Sequence, residues 1–343
     1  MNKVLTIVIP TYNMEKYLHR CLDSIILEGE EQFKQLEVLV VNDGSKDSSS
    51  AIAHDYEKKY PGIIRIIDKE NGNYGSCFNR GLKEASGKYI KLLDADDYYN
   101  TDELEKYLIE LSGTDADIVF SSFNIVDETG KVTSSMDIPT ENKGKSMSFD
   151  ECSLFDKLPS NLVAMHAIGI KRENLINNSY FQQEGISYTD TEYSFFGILY
   201  ANTVYFSSSC LYQYYVGREG QTVSIDAQIK HTNDYVLILN RLLDVLIEQK
   251  SSLAKYKIEV LAYIISVMIK MYLLVSILAI PSKDVNKETV SNILRKCDEC
   301  GISVAALKQL IRYHRIPYLK LWLNNGISVH PLFKLIQSVK SKK

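Results

Sequence analysis

The chain has 343 residues, 45% hydrophobic and 24% charged, a composition that supports one large or two medium globular domains and excludes a disordered or fibrous protein. Its formal charge of −4 is uneven: no acidic residue follows Glu299, so residues 301–343 carry +8 and residues 1–300 carry −12. Six cysteines, at 21, 77, 152, 210, 297 and 300, are too scattered for a disulfide framework, and the opening apolar run, ended by Pro10, is too short for a secretory leader, so a reducing cytosol is the expected compartment.

The run "VLTIVIP" (4–10) predicts a first buried strand, and Leu18, Leu22, Ile25 and Ile26 follow it at helical spacing. "LEVLVV" (36–41) predicts a second strand, with Ser45 or Asp47 placed to cap the helix behind it. "IIRIID" (63–68) predicts a third. A Gly-rich turn and a short helix to about Ala85 lead to a fourth, "KYIKLL" (88–93), and "ADIVFSSFNIV" (116–126) predicts a fifth with a hairpin behind it. Strands alternating with helices at this spacing imply an α/β fold, a mostly parallel sheet with helices on both faces. The polar stretch 134–148 is expected to be a mobile loop. From 150 to 225 the pattern is mixed, and beyond about 227 it is helical. The expected division is an α/β domain at 1–225 and a helical C-terminal region with a basic amphipathic tail at 226–343.

Such a sheet binds ligands outside the carboxyl ends of its strands. The polar clusters fall there: Pro10, Thr11, Tyr12 and Asn13 after strand one, Asn42, Asp43 and Gly44 after strand two, and "DADD" (94–97) after strand four. Asp94, Asp96 and Asp97 would repel one another unless a cation neutralises them, and Mg²⁺ or Mn²⁺ prefers oxygen ligands shared with substrate phosphates. A metal diphosphate is the natural guest; a solvated turn or a cap for the helix starting near Asp102 is the plainer alternative.

The strings "TIVIPTYNMEKYLHRCLDSI", "VLVVNDGSKDSS", "NGNYGSCFNRGLKEASGKYIKLLDADD" and "GISYTDTEY" together resemble the family 2 glycosyltransferases of the GT-A fold, over roughly residues 3–225. The resemblance implies that Pro10, Thr11, Tyr12 and Asp43 hold the nucleobase of a sugar donor, usually uracil, with Glu15 in the matching N-x-E position. A carboxylate accepts from the uracil N3–H, and an aromatic face stacks on the base. The family's D-x-D maps onto Asp94, Ala95 and Asp96: Asp94 toward the ribose or a metal-bound water, Asp96 on the metal, Asp97 in support. The family's catalytic base maps onto Asp190 in "YTDTEY", where Thr189 replaces a Glu; one carboxylate suffices to take the acceptor's proton. Arg218, in "QYYVGREGQTVS", matches a diphosphate-clamping arginine, and Asn79 is carried over from the Gly-rich segment.

Two departures stand out. Phe78 occupies a position where many relatives carry Arg, and His166 and Ile168 stand where a Trp and a Lys are common, so His166 reads as a packed or acceptor-side histidine rather than a metal ligand. "CDEC" (297–300) lacks the second pair that a zinc site needs. The resulting expectation is a metal-dependent inverting transferase, moving a sugar from a nucleotide donor, a UDP-sugar for preference, to a hydroxyl of a polysaccharide or lipid-linked glycan. The competing expectations are an inactive sugar-nucleotide or glycan-binding subunit and a transferase acting on a protein-linked glycan. No nucleic-acid partner is expected.

"VLAYIISVMIKMYLLVSILAI" (260–280) is long and apolar enough to raise a membrane span, but a central Lys270 costs about 2.5–3.5 kcal/mol on insertion, so a helix buried in a helical subdomain is the expectation and membrane embedding the alternative. The tail "YLKLWLNNGISVHPLFKLIQSVKSKK" mixes Leu, Trp and Phe with lysines and suggests peripheral contact at the inner face of the membrane, or packing on the acidic body.

Overall fold

The computed structural model describes residues 2–149, 160–217, 224–281 and 284–340. The chain divides into two compact units, Met1–Arg218 and Glu219–Lys343.

In the first unit the apolar runs become strands because their β-branched residues can be buried on both faces. They are β1 (Leu5–Thr11), β2 (Leu36–Asn42), β3 (Ile64–Asp68) and β4 (Tyr89–Leu92). Then follow β5 (Tyr98–Tyr99), β6 (Ile118–Val126), β7 (Val132–Met136), β8 (Lys145–Ser148), β9 (Ile168–Lys171) and β10 (Thr203–Tyr215). The helices are α1 (Leu18–Asp23), α2 (Glu30–Lys34), α3 (Ser49–Lys59), α4 (Asn73–Glu84), α5 (Thr101–Gly113), α6 (Arg172–Asn177) and α7 (Asp190–Tyr200).

Among the described residues the strands form one sheet in the order β3-β2-β1-β4-β9-β6-β10-β5, with β7 on β6 and β8 on β10. The first four are parallel, whereas β9 runs antiparallel between β4 and β6. The sheet is therefore mixed: parallel where the crossover helices fall, antiparallel where β9 is inserted. The stretch 134–148, expected as a mobile loop, gives Ser134–Met136 to β7 and Lys145–Ser148 to β8, so backbone pairing holds both its ends.

Helices cover both faces. Gly169 and Ile170 are successive residues of β9, so their side-chain positions face opposite ways. A Cβ on Gly169 would meet Tyr107 of α5, while Gly197 of α7 lies against Ile170. The α4 helix lies close enough to β1 that a Cβ on Gly81 would stand 2.6 Å from Val8 Cγ1. At Gly75 an added Cβ would stand 1.9 Å from the backbone oxygen of Gln183, so that glycine lets the segment leading to α7 rest on α4.

The second unit is helical: α8 (Ile225–Lys230), α9 (Thr232–Gln249), α10 (Lys255–Leu273) running on as a π-helical stretch Leu274–Ala279, α11 (Lys287–Cys300), α12 (Val304–Leu310), α13 (Tyr318–Asn325) and α14 (His330–Lys340). The α9 helix packs against α10 and α11, burying Ile238, Leu239, Leu242, Leu243 and Leu246 at helical spacing. Cys297 and Cys300 belong to the buried stripe of α11, so "CDEC" is core spacing. The run Lys255–Ala279 is long and apolar enough to cross a membrane; 61% of its most apolar stretch is buried inside the protein and Lys270 is exposed.

Candidate active site

The pairing Thr11↔Asn42 puts the carboxyl ends of β1 and β2 side by side. Just beyond, Tyr12 is 46% exposed and offers an open ring face. Asp43 is buried, and its oxygens accept from Lys69 Nζ (2.5 Å) and from the backbone amides of Gly72 (2.9 Å) and Asn73 (2.9 Å). It thus pins the turn that opens α4, where Asn73 takes a left-handed φ of 68°. Glu15 is exposed, and its Oε2 accepts from the Ser48 amide (2.9 Å), tying the segment after β1 to the start of α3. Pro10 and Thr11 are buried in β1.

The turn after β4 is built differently. Asp97 is 1% exposed, and its oxygens accept from the Tyr212 hydroxyl (2.6 Å) and the Tyr215 amide (2.7 Å). β10 delivers both, since Tyr212 pairs with Tyr99. Burial, then the neighbouring Asp96 and Asp94, push the Asp97 carboxyl well above the usual range. Asp94 Oδ1 accepts from the Tyr74 hydroxyl (2.7 Å), and the Asp96 carbonyl accepts from Arg20 Nη2 (2.6 Å), whose guanidinium lies over the rings of Tyr98 and Tyr215. Ala95 is buried, and Asn100, not an aspartate, caps α5.

His166 reaches this turn through topology. β9 is antiparallel to β4 with Ile90 opposite Ile170, so continuing that register puts the start of β9 at the carboxyl end of β4. The carbonyls of His166 and Ile168 are held there by Lys91 Nζ (2.9 and 3.0 Å), a buried lysine whose pKa falls to about 7 through burial. His166 packs among the rings of Phe123, Tyr212 and Tyr214, and its buried Nδ1 has no hydrogen-bond partner. Burial, with the Lys91 charge, lowers the imidazole to about 3 and so keeps it neutral. One ligand atom each of Asp94, Asp97 and His166 lies within 4.8 Å of the others. Two carboxylates and a neutral imidazole are a donor set that suits Mn²⁺.

Asp190 opens α7 behind the N-cap Thr189, two residues after Tyr188, which has φ 65°. Burial raises its carboxyl above the usual range, opposed by its own amide and that of Thr191. Thr189, in place of a Glu, is fully buried, and its hydroxyl and carbonyl accept from Gln182 Nε2 (3.0 and 2.8 Å). The Tyr74 hydroxyl, which donates to Asp94, has its pKa raised by burial first, then by the charges of Asp94 and Asp190.

The family described as Glycosyl transferase family 2 matches residues 6–175. Residues 6–175 belong to glycosyl transferase family 2. The chain is 34% identical to the Glycosyltransferase GlyA of Streptococcus pneumoniae over 125 residues, 36% of this chain and 17% of that one. It is 43% identical over 105 residues to the Uncharacterized glycosyltransferase MG025 of Mycoplasma genitalium, 30% of this chain and 35% of that one. The chain thus spans well under half of these relatives. Among solved structures it resembles S. aureus TarS 1-349 in complex with UDP-GlcNAc, with a TM-score of 0.64 and 19% identity over 92% of this chain and 88% of that one. It also resembles the mannosyltransferase PcManGT from Pyrobaculum calidifontis in complex with GDP-Man and Mn²⁺, with a TM-score of 0.52 and 14% identity over 100% of this chain and 89% of that one. At such identities the likeness is one of fold, a GT-A-like mixed sheet.

Within the family 2 domain, Asn79 lies away from the acidic turn in its bonding: its amide gives to the Gln182 carbonyl (2.8 Å) and Glu184 (2.9 Å) and accepts from the Gln182 amide (2.9 Å), fastening α4 to the approach to Asp190. Asp96 is outside the Asp94, Asp97 and His166 group, and Arg218 lies outside the described residues. Tyr74, Tyr212, Lys69 and Lys91 were not singled out from sequence. A usable signal existed for Tyr212: it shares a strand face with Tyr214 at a spacing of two.

Proposed function

We propose that the chain transfers a sugar from a nucleotide donor, a UDP-sugar by preference, to a hydroxyl of a polysaccharide or lipid-linked glycan, with a divalent cation and inversion at the anomeric carbon. What carries this reading is the convergence of unlike groups at one edge of the family 2 sheet: an exposed aromatic, a cation-competent cluster and a carboxyl with a raised pKa. The fold neighbours named with UDP-GlcNAc, and with GDP-Man and Mn²⁺, support it, as does the name of a Bacillus subtilis relative, the Minor teichoic acid biosynthesis protein GgaB.

In this reading Tyr12 stacks on the base and Asp43, already anchored by Lys69, accepts the base N3–H on a remaining lone pair. Asp94, Asp97 and His166, with Asp96 beside them, would hold the cation. When bound, it supplies Lewis-acid stabilisation of the leaving diphosphate. Asp190 takes the proton of the acceptor hydroxyl as that oxygen bonds to the anomeric carbon and the bond to the diphosphate breaks. The raised pKa makes the Asp190 carboxylate a stronger base toward that proton. Arg218 keeps its proposed role as a diphosphate clamp.

The test is release of nucleoside diphosphate from UDP-, GDP- and dTDP-sugars with Mn²⁺ or with EDTA, in the wild type and in Asp190→Asn. Metal-independent turnover, or an Asp190→Asn enzyme as fast as wild type, would refute the mechanism; product anomeric configuration by NMR decides inversion.

A further inference from the structure

The acid-free end of the chain carries a feature that the transfer chemistry does not use. Helix α14 has two contrasting faces. His330 and Phe333 are 7% and 4% exposed. His330 Nδ1 pairs with the Leu278 carbonyl (3.0 Å), the Phe333 ring packs on Tyr313 at 5.2 Å, and Gln337 Nε2 donates to the Tyr313 hydroxyl (3.2 Å). These positions, three and four apart, fix the inner face. The other side presents Leu332 and Leu335, 39% and 61% exposed and three residues apart, and exposed Lys334 lies on the flank between Leu335 and His330. Ile327, 47% exposed, stands just before the helix.

A single exposed leucine needs no explanation. Here two share one helix face, in a segment whose charge is entirely positive. Arg312, Arg315, Lys320 and Lys334 are exposed, and the sequence of residues 301–343 has eight Lys or Arg and no acid, against −12 over residues 1–300. An anionic surface would therefore be attracted to this segment in preference to the rest of the chain.

We propose that the outer face of α14 is a docking surface for a bilayer with anionic headgroups, Leu332 and Leu335 entering the headgroup boundary while the cations of the acid-free segment meet the lipid charge. Apolar entry supplies the holding force and the cations supply selectivity for acidic lipid. The inference is independent of which sugar is transferred and of whether Asp190 is the base.

The experiment is co-sedimentation of the full chain with sucrose-loaded vesicles of phosphatidylcholine alone or mixed with phosphatidylglycerol, at low and high salt. The expected result is binding to the acidic vesicles only, weakening as salt rises, and falling by about tenfold or more in Leu332→Ser/Leu335→Ser and in Lys320→Gln/Lys334→Gln. Circular dichroism and nucleoside diphosphate release stay at wild-type levels in both variants. Equal binding to neutral vesicles, no binding to either, or unchanged binding by the leucine variant would overturn the proposal. So would a leucine variant whose only change is in oligomeric state, since the face would then belong to a second copy of the chain.

Discussion

Two buried aspartates follow parallel strands of the same sheet, and the fold treats them in opposite ways. Asp43, after β2, is met by the Lys69 ammonium and two backbone amides. Asp97, after β4, is met by a tyrosine hydroxyl and one amide, beside two more carboxylates that help to raise its pKa. The first is compensated by the chain's own cation and can serve as a fixed anchor for a base. The second leaves negative charge crowded among neutral donors and a neutral imidazole, a state that a divalent cation relieves. Equal charge at equivalent strand ends thus means structure in one place and a reserve for chemistry in the other.

The largest expected effect sharpens the chemical side. Asp190→Asn should slow sugar transfer by about 10²–10⁴-fold while leaving UDP affinity in place, read by initial rates and by calorimetric titration. Next is the cation. His166→Ala should weaken Mn²⁺ binding by about tenfold or more, followed by paramagnetic resonance of free Mn²⁺, and removal of metal by EDTA should abolish turnover until Mn²⁺ is restored. Unchanged Mn²⁺ affinity would confine His166 to packing.

The structural side is tested by stability. Lys69→Met leaves the Asp43 carboxylate buried without its cation and should cost about 3 kcal/mol in the denaturant midpoint. Tyr212→Phe removes one neutral donor from Asp97 and should cost about 1–2 kcal/mol. The reverse order would break the contrast drawn between the two sites.

The smallest effect is a pH shift. Asp190 must be ionised to accept a proton, and its folded pKa is raised, so activity should fall as pH drops through that raised value. The acid limb of kcat/KM should therefore lie above about 3.9, the ordinary aspartate value, and be absent from the residual activity of Asp190→Asn.

The residues Leu5–Thr11, Leu36–Asn42, Ile64–Asp68 and Tyr89–Leu92 were legible as strands because each is a run of apolar residues long enough to be buried on both faces. Their carboxyl-end polar clusters were legible with them, since parallel strands joined by helices place those ends on one edge. β9 was not. "IGIK" is four residues long and carries no periodicity of its own, and it becomes a strand only because β4 and β6 leave a slot between them.

What the sequence determined by itself, then, is local: which segments bury, and where acids follow them. Tertiary structure alone decided which acids have partners. The antiparallel β9 carries His166 to the end of β4, and β10 carries Tyr212 to Asp97, across separations of more than seventy and more than a hundred residues. A carboxylate's charge state depends on the donors and burial around it, and those are supplied by contacts remote in sequence that no local pattern encodes.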